Sequence, residues 1–229
     1  MFFRIFSNQL VSFCIIFFLF IKFTYAGQLI NTNLIEFSLS LQNQTTLFNF
    51  TNKNHQVEID QLGVNWYEPF SETFQGGLEF GYLDVTQRDS SLTSAEFSSG
   101  EYYGILLRFL PINTSFATLR LNLNYRYNKT ESINTAQNLE FMWGETLISS
   151  ELEFHPFDKL GLLLAAEYQN LSGEQHDFGN VLQIVDFTTS KNAGYRLGIH
   201  FKPDPTANIG LQWITGYKEG VRIHFMRRF

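Results

Sequence analysis

From about residue 33 onward the chain repeats a two-residue polarity alternation, and no mature stretch is apolar for long enough to form a spanning helix. The cleanest example is TLRLNLNYRY, residues 118–127. Leu119, Leu121, Leu123, Tyr125 and Tyr127 fall on one side of an extended strand, and Arg120, Asn122, Asn124 and Arg126 on the other. LIEFSLSL, GLEFGYLDV, EYYGILLRFL, LGLLLAAEYQ, GYRLGIHF, NIGLQWITGY and the closing KEGVRIHFMRRF alternate in the same way. QVEIDQLGVNW slips phase near Gln61, which suggests a bulge, and NLEFMWGETLISSELEF completes a count of ten strands.

The first residues set the compartment. Arg4, the apolar run Leu10–Ile21 and the small-residue exit TYA before Gly27 have the three regions of a secretory signal peptide, expected over residues 1–26 with a single domain over 27–229. The apolar run spans 12 residues, well below the roughly 20 of a membrane helix. Cys14, the only cysteine, would leave with the leader, so the mature domain has no disulfide to staple it. Removing Arg4 and Lys22 takes the 16 basic side chains to 14 against 22 acidic ones, a net charge of −8. That balance argues against nucleic acid as a partner.

The connectors differ in character along the chain. YEPFSE, LPINTS, HPFDK and KPDPTA are short and carry proline, whereas QNQTTLFNFTNKNH, TQRDSSLTSAEFSSG, NKTESINTAQ and NLSGEQHDFGN are longer and polar. Short turns at one rim and long loops at the other are the pattern of an outer-membrane barrel. The expected fold is therefore all-β, a closed antiparallel up-and-down transmembrane barrel of about 10 strands, with 8 or 12 as alternatives. Residues 138–155 are long enough for two strands, and VLQIVDF (181–187) is a further strand-like run in the longest loop. Ten strands put both termini at the short-turn rim and leave no free edge.

Within that frame the apolar faces point to lipid, with Tyr82, Tyr103, Tyr125, Tyr127, Trp143, Tyr168, Tyr195, Trp213 and Tyr217 read as interfacial aromatics. The polar faces put Glu36, Glu79, Arg108, Arg120, Arg126, Glu140, Glu167, Arg196 and Arg222 in the lumen, beside small residues such as Gly77, Gly81, Gly104 and Gly198. Charges of both signs in a narrow interior are expected to pair and fill it. The alternative is a charged constriction that selects ions.

The closing stretch carries a resemblance. VRIHFMRRF looks like the last strand of bacterial outer-membrane β-barrel proteins, in which a terminal Phe and alternate apolar residues are read by the barrel-assembly machinery. Val221, Ile223, Phe225 and Phe229 match that signal, and Arg227 on the same face departs from it. The resemblance implies a location in the outer membrane, contact with outer-membrane lipid and lipopolysaccharide, periplasmic chaperones during biogenesis and an unknown extracellular ligand. It names no activity.

A further alternative is a lipid- or peptide-processing enzyme using His176, although no nucleophile motif is recognisable. SGEQHDF places Ser172, Glu174, His176 and Asp177 in the longest loop, yet adjacent His176 and Asp177 point apart on extended chain. His200 and His224 face the lumen without a third metal ligand, so neither a metal nor another cofactor is expected. Sequons at Asn43, Asn49, Asn113, Asn128 and Asn170 would bear glycans only in the rival case of a secreted eukaryotic β-sandwich.

Overall fold

A computed structural model of the chain describes residues 34–50, 53–87, 97–133, 138–178 and 182–229. The proposed leader, residues 1–26, lies outside the described residues. Eleven strands are present: β1 (Glu36–Phe50), β2 (Lys53–Pro69), β3 (Phe74–Gln87), β4 (Phe97–Asn113), β5 (Ala117–Ile133), β6 (Asn138–Phe157), β7 (Leu160–Phe178), β8 (Leu182–Thr189), β9 (Ala193–Phe201), β10 (Ala207–Thr215) and β11 (Lys218–Arg228).

The strands close two rings that share seven members. β7 pairs with β9 through Leu160–Tyr168, and β9, β10 and β11 carry the sheet back to β1. This lower ring has ten strands. Above it, β7 pairs instead with β8 through Ser172–Phe178, and β8 reaches β1 at residues 48–50. The upper ring therefore has eight strands, because β9–β11 stop short. Their shortness comes from the tight β10–β11 turn at Gly216–Tyr217, where Gly216 adopts φ +110°, a left-handed conformation that glycine tolerates and larger residues resist.

The ten-strand reading thus holds for the membrane ring, and the described part of the VLQIVDF run, from Leu182, supplies the eleventh strand without crossing the membrane. Residues 138–155 form one strand rather than two. The stretch read as a loop, QNQTTLFNFTNKNH, is mostly strand, with only residues 51–52 between Phe50 and its partner Lys53. Long connectors became tall walls.

Polarity explains both tiers. In the lower ring, outward positions such as Leu39, Leu41, Phe80, Ile105, Leu121, Leu123, Leu164, Leu197 and Leu211 are exposed and apolar. Leu119 to Tyr127 on β5 covers nine residues, the length a tilted membrane strand needs. Higher on the same strands the alternation inverts. Asn43, Asp60 and Asp84 form an outward cross-strand row, and Phe48, Val57, Ile59, Leu83 and Val85 turn inward and are buried. The cause is the change of solvent. Hydrocarbon surrounds the lower ring, whereas water surrounds the upper one, so apolar side chains move to whichever face is dry.

Phe48, Phe50, Val57, Ile59, Leu83, Val85, Tyr102, Leu139, Phe141, Trp143, Leu171 and Phe187 form one buried cluster that fills the upper ring. Phe187 of β8 stacks on Phe48 with ring centroids 4.6 Å apart, and Trp143 meets Phe48 edge-on at 6.1 Å. Two of the expected interfacial aromatics are corrected here, since Trp143 and Tyr217 face inward and are buried. Tyr82, Tyr103, Tyr125, Tyr168, Tyr195 and Trp213 are outward and about half exposed at the top of the lipid-facing band. Phe74, Phe109, Phe116, Phe157, Phe201 and Phe229 are exposed toward the opposite rim.

The short turns lie at that rim. In the β9–β10 turn the Asp204 carboxylate accepts from the Thr206 backbone N–H (2.8 Å), the Thr206 hydroxyl and the Ala207 N–H (3.0 Å). These donors, led by the Thr206 hydroxyl, hold its pKa below the usual carboxylate range.

The ends of the chain complete the lower ring. β11 pairs with β1 from Glu36↔Arg228 to Thr46↔Lys218, and beyond it Phe229 donates to the Ile35 carbonyl (2.9 Å) while accepting from Ile35 N–H (3.2 Å). Deleting Phe229 removes both bonds and the Phe37–Phe229 edge contact. The deletion variant should give a clearly smaller folded fraction on refolding into lipid vesicles, read as heat-modifiable migration. A yield equal to that of wild type would show that the ring closes without its last residue.

Candidate functional site

The lower ring encloses a polar lumen whose charges come from eight strands. Alternation sends even residues of β1, β4 and β5 inward, and odd residues of β2, β3, β6 and β7. Near the short-turn rim Glu36 receives Arg108 (2.9 Å) and Arg228 (3.2 Å), while Arg108 also donates to Gln75 and lies 3.8 Å above the Tyr67 ring. Glu153 is fully buried and forms a second hub. Arg120 approaches it to 2.8 Å, His200 to 3.3 Å, and His155 and Lys202 to 3.5 Å.

Farther up, Arg196 bridges Glu151 and Glu167 (3.0 Å to the latter) and donates to Gln212. The Tyr217 hydroxyl donates to Glu167 at 2.7 Å. Arg126 holds Glu145 through two nitrogens, at 2.6 and 2.9 Å, directly beneath the apolar plug. Its guanidinium also lies 5.2 Å from the Tyr102 ring. Tyr102 can cross the lumen at this level because Gly63 and Gly81 face it, where a Cβ on either would strike the phenol. Arg222 donates to Gln42 at 2.7 Å, and the His200 and His224 rings meet edge-on at 4.8 Å.

Eight of the nine expected lumen charges, Glu36, Glu79, Arg108, Arg120, Arg126, Glu167, Arg196 and Arg222, lie in this interior. Glu140 does not. It sits on the outer face of β6 above the lipid band, where Lys129 reaches it at 2.8 Å. Bonds from Lys129 to Glu131 (2.7 Å), and then to Glu140, raise the Lys129 pKa above the usual lysine range. The misplacement follows from treating every apolar face as lipid-facing, for Leu139, Phe141 and Trp143 turn inward. Sequence reasoning also passed over Glu145, Glu151, Glu153, Lys218 and Arg228. The parity of Ser149, Glu151 and Glu153 against Ile148, Leu152 and Phe154 carried the signal for β6.

The space left between these side chains is a cavity of about 130 Å³. Ligand pockets run to roughly 300–1,000 Å³, so this one suits a few waters. His176 is on the outer face of β7, 2.9 Å from Glu174 and 4.0 Å from Glu140. Ser172 shares that face four residues away, about 13 Å along an extended strand. No group of His, Cys, Asp and Glu among the described residues has metal-binding geometry.

Removing one member of a buried ion-pair cluster leaves charge without compensation. Arg196→Ala strands Glu151 and Glu167 and should cost about 3–5 kcal/mol in reversible urea unfolding from lipid vesicles. A change below about 1 kcal/mol would mean that water already screens these groups.

No family model and no curated protein matches the sequence. Among solved structures the fold is similar to that of the outer membrane protease OmpT from Escherichia coli, with a TM-score of 0.51 and 8% identity over 87% of this chain and 98% of that one. The outer membrane protein OprG from Pseudomonas aeruginosa aligns with a TM-score of 0.47 and 10% identity over 86% and 96%. The translocator domain of the autotransporter NalP from Neisseria meningitidis gives 0.48 and 9% over 87% and 91%. At such identities the likeness speaks for architecture alone. The chain has the fold of the integral outer-membrane β-barrel proteins of Gram-negative bacteria.

Proposed function

We propose that this protein is a non-enzymatic surface barrel, sealed along its axis, whose tall extracellular walls meet external partners. The observation that carries this reading is the twelve-residue apolar cluster filling the eight-stranded upper ring. An ion travelling along the axis would have to cross a close-packed plug of Phe, Trp, Tyr, Leu, Ile and Val, beside which only a few neutral groups such as Gln87, Gln175 and Thr130 are buried, and tightly packed, largely apolar constrictions stop conduction. Most of the charges beneath it are engaged with one another, which suits filling the barrel more than lining a path. The separation of Ser172 from His176 on the outer wall speaks against a hydroxyl nucleophile activated by that imidazole.

Planar-bilayer recording of the refolded protein tests the seal. Wild type should show no steady unitary currents, whereas truncating Phe48, Trp143 and Phe187 together to alanine should open the upper ring and admit them. Heat-modifiable migration of the variant verifies that it is folded. Steady unitary currents through wild type would overturn the sealed reading in favour of a narrow porin-like channel.

A further inference from the structure

The β7–β8 hairpin stands apart from the rest of the upper wall. β8 meets β1 at only three residue pairs, Phe48↔Thr189, Asn49↔Thr188 and Phe50↔Phe187. Phe50 ends β1, so β8 continues upward past it. On that side Leu182–Asp186 has no strand partner among the described residues, although β7 pairs with its other edge throughout. A strand edge with unpaired backbone donors and acceptors is a template for another strand.

The side chains around this edge add chemistry to it. Phe187 is inward and buried, so alternation puts Asp186, Ile184 and Leu182 outward. Leu182 and Ile184 are 55% and 53% exposed, and Phe178, the β7 partner of Leu182, is 46% exposed. Three large apolar side chains therefore meet water on a wall whose other outward residues at this height are mostly polar. Below them Glu174 and Asp186 face each other directly across the hairpin on the same face. Like charges in that relation repel, and a cation beside them relieves the repulsion.

Lipid is a poor fit. Phe178 is ten residues beyond Tyr168, the last lipid-level aromatic on β7, which is about 33 Å along the strand and about 25 Å of height at a tilt near 40°. A second copy in the same membrane also fits poorly. β8 descends toward the membrane, so an antiparallel partner must ascend, and the β8 of a neighbouring barrel descends as well.

We propose that the free edge of β8 is a docking site for an extended peptide segment of an external protein, added as an antiparallel strand with apolar residues opposite Leu182 and Ile184 and a basic residue opposite Asp186. This rests on the surface-barrel reading and gives its partner a chemistry. Main-chain bonds to Leu182–Asp186 supply binding, and the alternating outward side chains supply selection. In antiparallel register the matching core is Lys-Thr-Val-Thr-Val, with Lys opposite Asp186 and the valines opposite Ile184 and Leu182. Each threonine then lies opposite Val185 or Gln183.

The probe is a fluorescent peptide Thr-Lys-Thr-Val-Thr-Val-Thr, titrated with the refolded full chain in detergent and followed by anisotropy. It should bind. Replacing its Lys by Glu should weaken binding about three- to fivefold, the worth of one cross-strand charge pair. N-methylation of alternate peptide nitrogens should abolish binding when it falls on the edge-facing set. Asp186→Lys should reverse the preference between the Lys and Glu peptides, and Ile184→Lys should weaken binding about tenfold or more by opposing an apolar pair with a charge. Each variant is accepted only if it retains heat-modifiable migration. No binding, binding indifferent to N-methylation in both registers, or an unchanged preference in Asp186→Lys would overturn the proposal. Self-association of the chain that competes with the peptide would overturn the choice of occupant. The conductance of the barrel is independent of all these readings, so the seal and the docking edge stand or fall separately.

Discussion

Everything in this structure depends on joining the first strand to the last. Hydrocarbon offers no hydrogen bonds, so a sheet can remain there only if every edge is paired. The eleven register pairs between β1 and β11, together with the Ile35–Phe229 bonds, meet that requirement. Closure in turn creates an inside narrow enough that charges cannot be hydrated one by one. The lumen therefore pairs them, Glu36 with two arginines, Glu153 with a ring of cations and histidines, and Arg196 with two glutamates. Ring closure and the ion-pair interior are two results of one constraint.

The plug above obeys the opposite solvent. On β1 the chain passes from Glu36, Ser38 and Ser40 inward to Phe48 and Phe50 inward without a break in the strand. On β6 it passes from Leu139, Phe141 and Trp143 at the top to Glu145, Glu151 and Glu153 lower down, all inward. One alternating pattern therefore encodes a membrane protein below and a water-soluble eight-stranded barrel above. The place where the inside and outside trade polarity marks the membrane surface, through Asn43, Asp60 and Asp84 on neighbouring strands.

Much of this was legible in the sequence. TLRLNLNYRY gave strand, face and lumen arginines at once, and a ten-strand ring with no free edge required the closing strand to meet the first one, as β11 meets β1. What stayed hidden was the inversion. Alternation has the same period whichever face is apolar, so Glu140 and Trp143 were each assigned to the wrong side of β6. Nor could local pattern tell that QNQTTLFNF continues a strand, since its inward face changes from Gln42, Gln44 and Thr46 to Phe48 and Phe50 while Asn43, Thr45 and Asn49 stay outward. The role of β8 depends on where β9–β11 stop, and only the assembled sheet reveals that β7 changes partners between Tyr168 and Ser172.

The unequal seams of the two rings have a mechanical consequence. The membrane ring is locked by eleven residue pairs, the upper ring by three. Parting the upper seam would break few backbone bonds and leave the lower ring whole, but it would pull the buried Phe187 ring off Phe48 and Phe50. The membrane ring is thus laced by backbone, whereas the ring at the cell surface is held shut by aromatic side chains.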